Sequence, residues 1–279
     1  MVWRPLDGRD LGIEEGLYEG VPSHLTAVLW DWLRSYIVSG GNFQATTIRR
    51  VALMARISIR VGGSSIDVYN DLQKACVSDG HRFLNAVDAI LTDAIPTIAG
   101  QRKPAANVDT LRQYLSLANS TWTVSPDNSC LTRRVEPAAE VAAAEAMRPT
   151  DVASEELAEA WRKTYSREPD ASDAWDHSIK AVEHIYKPIV SPKNVKVTLG
   201  TIIRDIENGK HLFRFVLKKP DGSELDQFLS TLKMLWPNPD RHGSGQTAPV
   251  SLVEAQAAVH LAVTVVQWGR TNSLTKIIS

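Results

Sequence analysis

Three groups of residues in this chain have types and spacings that could do chemistry. The first is Asp240-Arg241-His242-Gly243, in the polar stretch PNPDRHGSGQTAP between two apolar segments. Histidine gains and loses a proton near neutral pH, and an adjacent guanidinium is a fixed fork for an anionic oxygen. The second group is His177, Lys180 and His184, which share one stripe of a helical pattern with Glu183 beside them. They could face a cleft next to His242, or they could be a solvated helix face. The third is Arg49, Arg56 and Arg60, spaced by seven and four so that one helix would carry them on one side. That recurrence suits a phosphate-binding stripe, although charged stripes more often face only water.

Other chemistries lack their signatures. There is no Walker loop, no GxGxxG, no Gly-x-Ser-x-Gly and no paired-carboxylate pattern. No second His or Cys pair has zinc-ligand spacing, so neither a metal nor a cofactor is expected. Cys76 and Cys130 lack a CxxC arrangement and read as buried packing residues of a reducing compartment. With 31 basic and 32 acidic residues the net charge is −1, so any phosphate-binding surface must be local. No basic-then-apolar leader opens the sequence, and no apolar run approaches the ~18–20 residues of a membrane span. These features lead us to expect a cytoplasmic protein without a membrane partner.

At 279 residues, 43% of them hydrophobic, the chain is long enough for two ordinary domains. Residues 23–38 read as a helix with Leu25, Leu29, Trp32, Leu33 and Ile37 on one side, and 44–61 as a second helix. Further helices are expected at 65–77, 80–95 and 107–118. The segment from Ser120 to Ala138 has β-type residues around Ser-Pro-Asp-Asn and reads as a hairpin-like connector. An alanine-rich helix over 137–147 ends before Pro149, and the next carries Leu157, Trp161 and Tyr165 at intervals of four. We place an N-terminal helical domain at 1–150 and a C-terminal helical domain at 151–279.

The C-terminal part shows four amphipathic helices. Asp170 or Ser172 caps the first, in which Trp175, Ile179, Val182 and Tyr186 step along one face until Pro188 and Pro192 break the chain. TLGTIIRDIENG forms the second, stopped by Gly209. HLFRFVL reads as a short strand. Ser223 and Asp226 form a capping-box pair opening the third helix, and Ser251 and Glu254 another opening the fourth, which runs to about Arg270. His260 lies mid-helix between Val259 and Leu261 and reads as a hydrogen-bonded core or interface histidine. Four such stripes bury one another best as a bundle, so the expected fold is mainly α with a short β element.

DAWDHSIKAVEHIYKPIV, then TLGTIIRDI, then a long helix, then a loop carrying His-Gly before a last helix, resembles the abortive-infection C-terminal group of HEPN domains over about residues 170–270. The segments STWTV…CLTRRV and LAEAWRKTYSREPD are similar to helical N-terminal partners of such proteins. The resemblance implies a HEPN-like four-helix bundle, a twofold homodimer and a metal-independent endoribonuclease acting on RNA in phage defence. It also implies a sensing or regulatory role for the N-terminal domain, with a phage trigger or antitoxin partner left open. It makes His242 the proton-transfer residue and Arg241 the phosphate-binding cation, supported by Asp240, Asn238, His177, Lys180 and His184.

The sequence departs from the family signature of an Arg and a His separated by four to six residues. The slots upstream of His242 hold Leu235, Trp236 and Pro237. The one literal match, Arg204 to His211, is what chance placement of arginines among seven histidines provides. A non-catalytic module that binds RNA or a nucleotide, or that only dimerises, therefore stands as the alternative.

Overall fold

The computed structural model describes residues 17–93, 107–239 and 249–277. Arg241, His242 and Asp240 lie outside the described residues. Those described form eleven α-helices and three two-stranded antiparallel sheets, a mainly α protein. The chain divides into two compact units, Met1–Val124 with Asn128–Arg134, and Val135–Ser279 with Ser125–Asp127. Each unit has its own hydrophobic core.

The first unit holds α1 (Ser23–Ile37), a small hairpin of β1 (Val38–Ser39) and β2 (Asn42–Phe43), α2 (Ala45–Met54), α3 (Ser65–Ser78), α4 (Gly80–Asp93) and α5 (Val108–Leu117). The hairpin β3 (Trp122–Val124) and β4 (Leu131–Arg133) closes it, with Trp122 opposite Arg133. The indole N–H groups of its buried tryptophans find acceptors. Trp30 donates to Tyr69 Oη at 3.0 Å, Trp32 to the Asn107 carbonyl at 2.9 Å and Trp122 to the Glu19 carbonyl at 2.9 Å.

The expected helix over 44–61 is shorter. It stops at Met54, and Arg56 takes a left-handed conformation with φ of 55°. The arginine stripe consequently does not form. Arg49 donates to the Val61 carbonyl, and Arg60 makes a bidentate pair with Asp71 at 2.7 and 2.9 Å.

The second unit comprises α6 (Pro137–Met147), α7 (Val152–Tyr165), α8 (Ala171–Val190), α9 (Leu199–Asn208), β5 (Phe213–Phe215), α10 (Glu224–Leu235), α11 (Leu252–Arg270) and β6 (Leu274–Lys276). The helix over 137–147 thus belongs with the C-terminal elements, and the units part at Arg134 rather than near residue 150. Asp170 caps α8, and Ser251 with Glu254 forms the capping box of α11. Thr198 with Thr201 caps α9, whose Leu199 N–H also donates to Glu183 Oε1 at 2.6 Å.

Three local expectations change in this unit. The Ser223–Asp226 box does not form: Ser223 Oγ donates to Asp221 Oδ1 at 2.7 Å, and Asp226 is paired with Lys210 instead. Pro188 does not break α8, which runs to Val190. Proline there removes only one bond of the final turn. The strand HLFRFVL narrows to β5, and its partner is β6, with Phe215 opposite Leu274.

Two long-range polar contacts join the ends of this unit. Arg270, in the last turn of α11, makes a bidentate pair with Asp151, the N-cap of α7, at 2.7 and 3.0 Å, and reaches Ser154 Oγ at 2.9 Å. Tyr186, fully buried on α8, donates to the Val265 carbonyl of α11 at 3.0 Å.

Because Leu157, Ala160, Trp161 and Tyr165 of α7 share one core with α8 and α11, the independently folding piece should begin near residue 135. A fragment of 135–279 is expected to be soluble and to melt cooperatively. A fragment of 170–279, lacking α7 and its roughly 1.5–3 kcal/mol per buried large apolar side chain, should aggregate or bind hydrophobic dyes. Circular dichroism melts and size-exclusion chromatography of the two fragments check this.

Candidate functional site

The chain on the N-terminal side of Asp240 is stapled to the bundle by three contacts. Trp175 on α8 donates its indole N–H to the Leu235 carbonyl at the end of α10, at 2.8 Å. Trp236 then lies against the first turn of α9, where Gly200 leaves room for it. A Cβ at position 200 would sit 2.6 Å from Trp236 Nε1, closer than any real contact. This gives the Thr-Leu-Gly motif a physical reason, since Thr198 caps α9 and Gly200 admits the indole. Two residues on, Asn238 is 2% exposed and its Nδ2 donates to the Ser172 carbonyl at 3.0 Å and to Asp176 Oδ1 at 2.8 Å. Asp176 is itself buried on α8, at 7% exposure. Buried polar groups of this kind are costly unless paired, so the contacts fix the chain direction as far as Asn238.

Asn238 is therefore itself held in a buried position against α8. Of the other residues expected to support the site, His177, Lys180 and His184 lie on α8, and Asp240 is outside the described residues. His177, one residue beyond Asp176 and so about 100° further round the helix, turns toward α7, where its Nδ1 donates to Glu156 Oε2 at 2.5 Å. Its Nε2 faces Asp173 Oδ1 at 3.5 Å. Lys180 is half-buried and His184 exposed. The α8 side chain that accepts from Asn238 is Asp176, which was not among the residues expected at the site. Its only local signal was an acid on an otherwise apolar side of α8.

One potential ligand cluster is present among the described residues. A carboxylate oxygen of Glu159, one of Asp173 and a ring nitrogen of His177 all lie within 4.8 Å of one another. Lys163 holds Asp173 Oδ2 at 2.8 Å, and Arg162 pairs with Glu159. The alternative spacing match has no such surroundings: Arg204 is exposed beside Asp205, and His211 is exposed in the turn after α9.

A groove of about 440 Å³ opens beside the staple, lined by Trp175, Met234, Ala258, Leu261, Glu254 and His260. Its floor is apolar, and His260 at its edge shares a 2.7 Å hydrogen bond with Tyr165 of α7. Half-burial disfavours the imidazolium form, so the His260 pKa falls below its ordinary value. Burial raises Tyr165 to about 12. No helix among the described residues is long and apolar enough to cross a membrane.

The sequence matches no protein-family model, and no curated protein or solved structure matches it either.

Two outcomes follow from this geometry. Asn238→Ala should lower unfolding free energy by about 1–3 kcal/mol, the cost of stripping buried hydrogen bonds, measured by urea denaturation. His260 has a folded-state pKa below its unfolded value near 6.5, so the unfolded chain binds the extra proton more readily. Its contribution is present above that unfolded pKa and is lost as pH falls below it. The midpoint of urea unfolding should therefore fall between pH 7 and pH 5, and His260→Gln should flatten that part of the profile.

Proposed function

We propose that this chain is a HEPN-type effector of abortive infection, whose C-terminal unit cleaves RNA without a metal, as a twofold dimer. Arg241 and His242 carry the reaction. His242 transfers the proton of the attacking 2′-OH or supplies one to the leaving 5′ oxygen. Arg241 neutralises the charge that builds on the phosphorane between those steps. A dimer brings two such pairs to one cleft, so that one histidine can act as base and the other as acid. The N-terminal unit senses or regulates, through a phage trigger or an antitoxin.

The observation that carries this reading is the staple formed by Trp175, Gly200 with Trp236, and Asn238 with Asp176. A buried polar anchor two residues before Asp240 suits a segment that must present side chains in a fixed place, because catalytic groups need support from residues that are themselves locked. The dimer is supported by the apolar residues that α10 and α11 expose. Met234 is 65% exposed beside the groove and Val253 74% exposed.

A second reading has its own observation. Leu235 is fully buried and Trp236 is committed to Gly200, so the slots where active relatives of the resembled family carry arginine are taken up by packing. If that upstream arginine is indispensable, the unit is a non-catalytic module that binds RNA or a nucleotide, or that only dimerises.

Purified protein should cleave RNA in the presence of EDTA. Arg241→Ala and His242→Ala should each reduce cleavage by about a hundredfold or more, the usual scale for acid–base catalysis and for loss of an oxyanion-stabilising donor. Arg204→Ala should be silent. Static light scattering at micromolar concentration should give a dimer. Absence of cleavage by the intact protein, together with an unchanged cellular phenotype for His242→Ala, would replace the nuclease reading with the binding-module reading.

A further inference from the structure

We propose that the facing sides of α7 and α8 form a site for a divalent first-row transition-metal ion, with Glu159, Asp173 and Nε2 of His177 as ligands. The site goes beyond the nuclease reading and takes no part in cleavage. It ties the two helices together.

The helical repeat presents the donors. Glu156 and Glu159 are one turn apart on α7, and Asp173 and His177 one turn apart on α8, so each pair occupies one helix face. All four side chains are half-buried, from 18% exposed for His177 to 35% for Asp173. The separations suit an ion. Ligands ~2.1 Å from a tetrahedral Zn²⁺ sit about 3.4 Å from each other, and His177 Nε2 already lies 3.5 Å from Asp173 Oδ1. One carboxylate oxygen of Glu159, one of Asp173 and a ring nitrogen of His177 lie within 4.8 Å of one another.

The histidine is what separates this cluster from a patch of acids. With Nδ1–H committed to Glu156, the ring is held so that Nε2 faces Asp173, in the same cluster as Glu159. A carboxylate behind a ligating histidine is the usual means of fixing its tautomer and raising its basicity. Lys163 and Arg162 hold Asp173 and Glu159 in place but also reduce the site's attraction for a cation. One nitrogen and two oxygens suit Zn²⁺ or Mn²⁺ better than Ca²⁺, which prefers an all-oxygen shell.

The test is isothermal titration of the full chain with ZnCl₂, after removal of bound metal by chelation. One ion should bind per chain with micromolar affinity and raise the melting temperature. His177→Gln and Asp173→Asn should weaken binding by about a hundredfold, and Glu156→Gln by about 10–100-fold, the range for losing a residue behind the ligand. Six other histidines could bind zinc adventitiously, so tight binding that survives in His177→Gln overturns the proposal, as does no binding up to millimolar zinc. Should the variants fail to fold, the wild-type chain still decides. In ¹⁵N-detected histidine spectra zinc should move the Nε2 resonance of His177 first, and an unmoved His177 refutes the site. None of these readings involves RNA, so they stand or fall apart from the nuclease assay.

Discussion

At Gly269 the backbone of α11 comes so close to α8 that an added methyl carbon would lie 2.0 Å from Ile185 Cγ2. The rest of the C-terminal unit depends on this approach. The buried faces of the two helices are rich in small residues: Ala174, Ser178 and Ala181 on α8, and Ala255, Ala258, Ala262 and Gly269 on α11. Close packing of backbones brings Tyr186 within reach of the Val265 carbonyl and sets Arg270 against the N-cap of α7. An alanine at 269 would force either the Ile185 side chain or the helices themselves to shift.

Helix α8 distributes separate tasks around its circumference. Consecutive residues differ by about 100°, so Trp175, Asp176 and His177 meet three different neighbours. Trp175 holds the end of α10, Asp176 receives Asn238, and His177 engages Glu156 of α7. The α8–α11 contact fixes the rotation of α8, and that rotation fixes all three. The segment before Asp240 and the cluster between α7 and α8 are consequently coupled through one rigid element, although no side chain is shared.

Local grammar was readable from the sequence, and nonlocal partnership was not. Ser251 and Glu254 sit three residues apart with no competitor, and the box forms as expected. Ser223 and Asp226 have the same spacing, but Asp221 is nearer to the Ser223 hydroxyl and takes it. The helix assigned to 44–61 had a continuous polar and apolar pattern. Its end at Met54 reflects Arg60 finding Asp71 and Arg49 finding the Val61 carbonyl, contacts that require the chain to turn back. Strand β6 is three residues after a helix, too short for any period, and becomes a strand because β5 is there to pair with it. In the candidate site, Asn238 was legible as a loop residue. That it is buried depends on Asp176, 62 residues earlier. His177 was noticed for its type, while its partner Glu156 lies on another helix, 21 residues earlier.

The contacts that complete the second unit also set when it can fold during synthesis. The first unit has all of its elements once residue 134 has been made. The second cannot form the clamp on Asp151 until Arg270 exists, nor pair β5 until Leu274–Lys276 are made. At roughly 5–20 residues per second, translation takes about 6–25 s to pass from the start of α7 to β6. During that interval the apolar faces of α7 and α8 lack the helix that covers them. A nascent chain of this protein therefore passes through a period in which one unit is finished and the other is a dependent of the ribosome and its chaperones.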